Sequence, residues 1–456
     1  MATRVAKNLL LLNSRIVLVD QVIERGSLLV EAGRIVRIFP GEPSGGHAGA
    51  VEYDLAGMTL FPGFIDVHIH GAVGVDTMES SAEDLGRVSK FLSTQGVTAW
   101  LPTLVPAAPE QYERSISSIG SIINRQREQE EPFQWDRGRA GSPAGQPRWG
   151  AVPGRKEQPA DSTSRDAALA ATDEAGRVGR PRSQYEEAPV GARVLGVHYE
   201  GPFVNSQQCG ALHREYFRTY SSSADLDALP TLNEAGAVHM MTLAPEIDGG
   251  IELVRELSRR GWIISIGHTR ADAEVLDRAC EAGARHLTHF MNAMAPLHQR
   301  APGPIGWGLL RDDVTCDLIA DGIHLDRMTL RLLQKLKTPA RLSLISDAIA
   351  AAGLGDGAYQ IWGETISVAN RRTQNSSGSI AGSVITMLDA VRMMLSLGVD
   401  EVDLARMAST NPARLLRIER ECGSIEEGKR ADLVALNQNG DVRLTLVEGV
   451  VAYVHE

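Results

Sequence analysis

Six side chains in this 456-residue chain have the types and spacing to share a metal ion. His68 and His70 stand two apart in FIDVHIHG, which turns both to the same side of a strand. Glu200 ends VLGVHYE, His268 lies in SIGHT, His289 in LTHFMNAM and Asp347 in LISDAI. Imidazole nitrogen and carboxylate oxygen suit Zn²⁺ or Fe²⁺, and such an ion makes bound water a nucleophile near neutral pH. Taken singly, each residue has an ordinary reading. An HxH pair can pack in a sheet, Glu200 can be a polar rim group, and His268 and His289 can pack or cap. Asp347 can cap the helix that follows. The joint pattern favours the metal, because five separate strand-like runs carry the candidates at equivalent ends. His198 shares the face of Glu200 and is expected behind it, while His47, His239, His286, His298 and His455 read as structural.

Eight β-rich runs must position these residues: GFIDVHIHG, VTAWLPTLV, RVLGVHYEGP, AVHMMTLAPE, WIISIGHT, HLTHFMNAM, TCDLIADGIH and RLSLISDAI. Helical stretches such as SAEDLGRVSKFLSTQG and IELVRELSRRG lie between most of them. Strands alternating with helices make a parallel sheet, and eight units predict an α/β fold, a TIM-like (β/α)₈ barrel over residues 59–413. In that fold active sites form at the carboxyl ends of the strands. His68 and His70 end the first run, Glu200 the third, His268 the fifth, His289 the sixth and Asp347 the eighth; His324 follows the seventh. Residues 1–58 and 414–456 read as short strands with Gly, Asp and Asn turns, expected to pair into one small β-sandwich. Residues 124–190 hold 7 Gly, 7 Pro, 11 basic and 11 acidic residues without hydrophobic periodicity. They are expected to be a disordered insertion, entering at the amino end of the third strand, opposite the site.

Composition narrows the class. Hydrophobic residues are 43% and charged residues 23%, the balance of a globular protein. Net charge is −11, which offers no electrostatic footprint for nucleic acid or an anionic membrane. Cys209, Cys280, Cys316 and Cys422 form no CxxC pair, as expected for a reducing cytoplasm. No run of 18 apolar residues suggests a membrane span, and residues 8–19 read as a strand.

FPGFIDVHIHG resembles the amidohydrolase superfamily. HYEGPF, TLAPE, GHT, THFMNAMAPLHQRAPG, ADGIH, SDA and IAGSVITM, with NPARLL and GSIEEGKRADLVAL, resemble its N-acetylglucosamine-6-phosphate deacetylases. The resemblance covers nearly the whole chain except 124–190. It implies hydrolysis of the acetamide of a phosphorylated amino sugar, with one or two divalent ions held by His68, His70, Glu200, His268 and His289. Asp347 becomes the residue that moves protons. Sugar and phosphate contacts fall on Asn292, Ala293, Arg300, His324, Ile380, Ala381 and Gly382. Members that lack the HxH pair hold one metal; this chain keeps both histidines, which implies a binuclear site bridged by Glu200. Many members carry a substrate-contacting histidine two residues after the glycine matching Gly210. Here that position is Leu212, between Ala211 and His213, and the three are taken together as substrate contacts. The family is often dimeric, with some phosphate contacts crossing the interface.

Three other readings remain beside this one: the galactosamine epimer as substrate, a more distant amidohydrolase, and a barrel that has lost catalysis. Distant members often bridge their metals with a carboxylated lysine, and no lysine ends the relevant strand here. A lapsed barrel should lack ligands, whereas all five and Asp347 are present.

Overall fold

The computed structural model describes residues 8–43, 47, 49–128 and 191–455. Its centre is a ring of eight parallel strands: β1 (Phe64–Ile69), β2 (Val97–Leu104), β3 (Gly196–Glu200), β4 (Val238–Leu243), β5 (Ile263–Ile266), β6 (His286–Leu287), β7 (Thr315–Ile319) and β8 (Leu342–Ile345). Each pairs with the next in chain order. The ring nearly closes beyond the ends of β8 and β1, where Asp347 N donates to His68 O (3.0 Å) and His70 N to Ala348 O (2.8 Å). Every residue of β1 and β2 is buried, because barrel strands face core on one side and helices on the other. The eight predicted runs are these eight strands.

Helices cover the ring, all amphipathic but the apolar α5: α1 (Ala82–Thr94), α2 (Pro109–Glu128), α3 (Gly250–Arg259), α4 (Ala273–Ala282), α5 (Gly303–Leu310), α6 (Arg327–Leu336) and α7 (Met387–Ser396). In α1 a capping box of Ser81 and Asp84 fixes the start, and Leu85, Val88 and Leu92 are buried. Between β3 and β4 no α-helix forms; residues 201–237 make a long loop with three short 3₁₀ turns. Among the described residues no helix is long and apolar enough to cross a membrane.

Both chain ends build the second layer, a sandwich-like domain of one hydrogen-bonded eight-stranded sheet. Its strand order is Val450–Val454, Val442–Val447, Leu433–Leu436, Thr59–Pro62, Leu9–Val17, Val22–Glu31 and Arg34–Phe39, with Val51–Asp54 also on Leu9–Val17. Leu11, Ile16, Leu28, Ile35, Leu60, Leu433 and Leu446 form its own core. The sheet curls until the turns at its two ends meet: a Cβ on Gly449 would lie 2.6 Å from Gly33 Cα. Both glycines have positive φ, 76° and 73°, so their lack of a side chain serves turn and contact alike.

Three expectations need correction. The boundary at 58 falls too early, because Thr59–Pro62 pairs with Leu9–Val17 on one side and Leu433–Leu436 on the other. The boundary at 414 cuts the helix Asn411–Leu415, where Asn411 Nδ2 donates to Pro339 O and Leu342 O, each at 2.7 Å. The expected insertion begins too early as well. Residues 124–128 complete α2, and Gln126 ties the returning chain: its Nε2 donates to Ala192 O (3.1 Å) and its Oε1 accepts from Val194 N (2.9 Å). The rest of that expectation, residues 129–190, lies outside the described residues.

One element was not foreseen. Between β8 and α7 stands an antiparallel meander, Gly357–Ile361, Glu364–Ala369 and Arg372–Gln374. Its sequence signal is the alternation of Ile366 and Val368 with polar residues, between the tight turns at 362–363 and 370–371.

Candidate metal centre and active site

The strand ends bring the six candidates together. His68 lies within β1 and His70 just past it; Glu200 is the last residue of β3. His268, His289 and Asp347 stand two residues beyond β5, β6 and β8, and all three adopt left-handed backbone, with φ of 48°, 31° and 50°. A non-glycine residue there costs ~1–3 kcal/mol and persists only where its surroundings hold it. Asn205 N donates to His268 O (3.0 Å), Asn292 N to His289 O (2.9 Å), and Ser383 N to Asp347 O (2.7 Å). The sharp turns fold each side chain back over the mouth of the ring.

Two ligand groups result, His68 with His70 and Glu200, and Glu200 with His268 and His289. Within each group the candidate atoms lie inside 4.8 Å of one another. Glu200 Oε1 is 2.9 Å from both His268 Nε2 and His289 Nε2, and Oε2 is 3.3 Å from His70 Nε2. Asp347 Oδ1 lies 3.3 Å from His68 Nε2 and 3.2 Å from His70 Nε2.

The tautomer of His268 tests whether a metal fits. Its Nδ1 is 2.7 Å from Gln208 O, and a carbonyl only accepts, so Nδ1 carries the proton. The neutral ring then aims its Nε2 lone pair at Glu200 Oε1. Two acceptors facing at 2.9 Å repel unless positive charge lies between them. A backbone acceptor on the far nitrogen is also how ligand histidines are oriented. The electrostatics agree. Burial disfavours a charged His70, yet its contacts with Asp347 and Glu200 outweigh that and push its pKa up to about 10. Burial raises the carboxyls of Glu200 and Asp347, but the facing histidines hold both well below the usual carboxylate range. A field that favours protons on these imidazoles equally favours a divalent cation among them.

Behind the ligands, polar side chains are paired in series. His198 gives its Nδ1–H to Val67 O (2.9 Å) and accepts at Nε2 from Thr242 Oγ1 (2.7 Å). Thr242 accepts in turn from Thr288 (2.7 Å), which accepts from Ser265. Burial, and then the neighbouring His68, push the His198 pKa well down, so the ring stays neutral and packs edge-on against His68 at 4.8 Å. This is the supporting position expected for His198.

Above the ligands opens a cavity of about 340 Å³, within the range of small-molecule sites. Of the expected substrate contacts, Ala211, Leu212, Asn292, Ala293, His324, Ile380 and Gly382 line it beside the ligands. His324 Nδ1 is tied to Asp321 Oδ2 at 2.7 Å, leaving Nε2 as the ring atom free for a ligand. Three expected contacts are not on the wall. Ala381 is fully buried beneath it, packed with Ile349 and Ile366. His213 turns to Glu215, its Nδ1 3.3 Å from Oε1, because adjacent Leu212 takes the inward place. Arg300 is exposed, in the turn bridged by His298 and Ala301. Gln207, Gln208, Cys209, Trp362 and Ser379 also line the cavity and were not anticipated; only Trp362, beside a turn glycine, leaves a trace in the sequence.

Residues 190–452 match the model of the amidohydrolase family. The N-acetylglucosamine-6-phosphate deacetylase of Bacillus subtilis (strain 168) is 32% identical over 450 residues, 98% of each chain. The N-acetylgalactosamine-6-phosphate deacetylase of Escherichia coli O157:H7 is 31% identical, over 86% of this chain and 87% of its own. Among solved structures, a variant of the Mycobacterium smegmatis N-acetyl-D-glucosamine-6-phosphate deacetylase in complex with N-acetyl-D-glucosamine-6-phosphate superposes with a TM-score of 0.77. It is 26% identical and covers 98% of this chain and 100% of its own. With two ligand groups drawn from four strand ends of one barrel, Asp347 at a fifth, and relatives spanning 98% of its length, the chain belongs to the amidohydrolase family, in the branch of the N-acetylglucosamine-6-phosphate deacetylases.

Proposed function

We propose that the chain hydrolyses the acetamide of N-acetylglucosamine 6-phosphate to glucosamine 6-phosphate and acetate, in the cytoplasm. The observation that carries this reading is Glu200, shared by two histidine groups on the floor of a cavity that Asp347 also enters. One or two Zn²⁺ or Fe²⁺ ions held there would polarise the amide carbonyl and bring water toward ionisation. Asp347, kept ionised by His68 and His70, takes the proton of the attacking water and returns it to the amine as the C–N bond breaks. Asn292, Ala293, His324, Ile380 and Gly382 hold the sugar phosphate, and the backbone turn at Gly382 lies against Asp347 O. The test is acetate release from the two epimeric N-acetylhexosamine 6-phosphates, with metal analysis on the same sample. Release from the glucosamine epimer supports the reading; release from the galactosamine epimer alone moves the chain to its relative's substrate.

The working unit is a homodimer in which Arg300 meets the phosphate bound by the second copy. Arg300 is exposed and absent from the wall of its own cavity, and its guanidinium suits phosphate. Along α6, Met328, Leu332 and Leu336 are exposed at intervals of four, with Leu310 nearby in sequence at the end of α5, an apolar surface of the kind that marks an interface. Mixing Arg300→Ala with Asp347→Asn protein after reversible dissociation is expected to restore activity above either alone, because one site per mixed dimer is then complete. No gain in demonstrably mixed dimers would place Arg300 elsewhere.

Deletion of residues 130–188, which spares Gln126, is expected to leave kcat and metal content within a few-fold of the parent. Its described flanks, the end of α2 and the residues before β3, lead into the amino end of that strand, and active sites form at the carboxyl ends. A hundredfold loss of turnover in folded protein would tie the segment to catalysis.

A further inference from the structure

Trp362 occupies a position that its own backbone disfavours. Ile361 pairs with Glu364, so Trp362 and Gly363 form a two-residue hairpin turn with φ of 52° and 77°. Such turns take Asn or Asp before Gly, because both central residues are left-handed. A bulky aromatic there needs compensation, and an outlier of this kind is a pointer to function. The compensation lies below it. The indole stands edge-on to the ligand His70, ring centroids 5.2 Å apart at 83°, and faces the cavity. Asp76 is also close by: burial pushes that carboxyl up to about 6, against the Met78 N–H and the His70 ring, which draw it down. With Ala211 the indole packs on Ile349, Ile361 and Ile366, the small apolar core beneath the meander.

The cavity is lined by polar Asn292 and His324 and by apolar Trp362, Ala211 and Ile380, and of these apolar residues Trp362 stands against the ligand His70. In the proposed reaction the amide carbonyl must sit at the metal ligands, so its acyl carbons extend toward a neighbouring wall. We infer that Trp362 is the wall that limits acyl length, making the site selective for N-acetyl over longer N-acyl groups; the inference rests on the deacetylase reading above. A rigid ring held by a strained turn suits this task, since it cannot yield to an extra methylene as a flexible side chain would. The hairpin keeps its register through Ile361 and Glu364, so the ring's height above His70 is set by main-chain pairing.

The experiment compares N-acetyl-, N-propionyl- and N-butyryl-glucosamine 6-phosphate on the metal-loaded parent, Trp362→Leu and Trp362→Phe, by release of the free acid. In the parent, kcat/KM is expected to fall at least ~10-fold per added methylene, the usual worth of one methylene at a close-fitting wall. Trp362→Leu should recover at least ~10-fold of the butyryl-to-acetyl ratio at parental metal content, with Trp362→Phe recovering less. A parent that accepts butyryl as readily as acetyl overturns the inference without any variant. So does a metal-loaded Trp362→Leu with the parental ratio, and if that variant does not fold, Trp362→Phe decides by the same ratio. No acid released by the parent from any N-acetyl epimer overturns the proposed reaction and the wall together, which distinguishes that failure from a failure of selectivity alone.

Discussion

Glu200→Gln is expected to strip metal from both halves of the site at once and to lower kcat by ~10³-fold or more. Metal polarisation supplies several kcal/mol of transition-state stabilisation, and each ~1.4 kcal/mol is tenfold in rate. Glu200 belongs to both ligand groups, so its loss removes the carboxylate they share and leaves each with two imidazoles, with Asp347 the one charge remaining, beside His68 and His70. His70→Ala and His268→Ala touch one group each and should lose less metal than Glu200→Gln. Metal per subunit, read by mass spectrometry beside steady-state turnover, decides the matter. Full metal content in folded Glu200→Gln protein would show that the carboxylate is no ligand.

Asp347→Asn should retain metal and substrate binding yet lose at least ~10²-fold in kcat, the low end for removing a general acid–base group. The change is conservative where it needs to be. Asparagine tolerates the left-handed backbone that Asp347 adopts, φ 50°, so the turn beyond β8 should survive. What disappears is an ionised oxygen 3.2–3.3 Å from His70 and His68. Equal KM and metal content with collapsed turnover would isolate proton transfer; unchanged turnover would mean that another group moves the proton.

The barrel and its floor were legible in the chain because parallel strands buried on both faces read as continuous apolar runs, and each ligand sits at or just beyond the end of one. The meander was hidden for the opposite reason. Its strands are half exposed and short, so Gly357–Ile361 and Glu364–Ala369 resemble any polar loop, and Trp362 went unnoticed with them. Boundaries failed where pairing is long-range: nothing local to Thr59–Pro62 shows that its partner lies at Leu433–Leu436. Side-chain direction failed similarly at His213. Proximity to the site in sequence says little about which of two neighbours turns inward, and at 212–213 burial of the apolar one prevailed.

That pairing of Thr59–Pro62 between the two ends of the chain also orders events during synthesis. When the first ligands, His68 and His70, leave the ribosome, the strand just before them has a partner on one side only. Its other edge stays open until residues 433–436 emerge. An open strand edge invites wrong pairings, and contacts this distant form late. The sheet that anchors β1 is therefore sealed only after residues 433–436 exist, and a nascent polypeptide stalled before residue 433 should be protease-sensitive in its early strands as well as at its growing end.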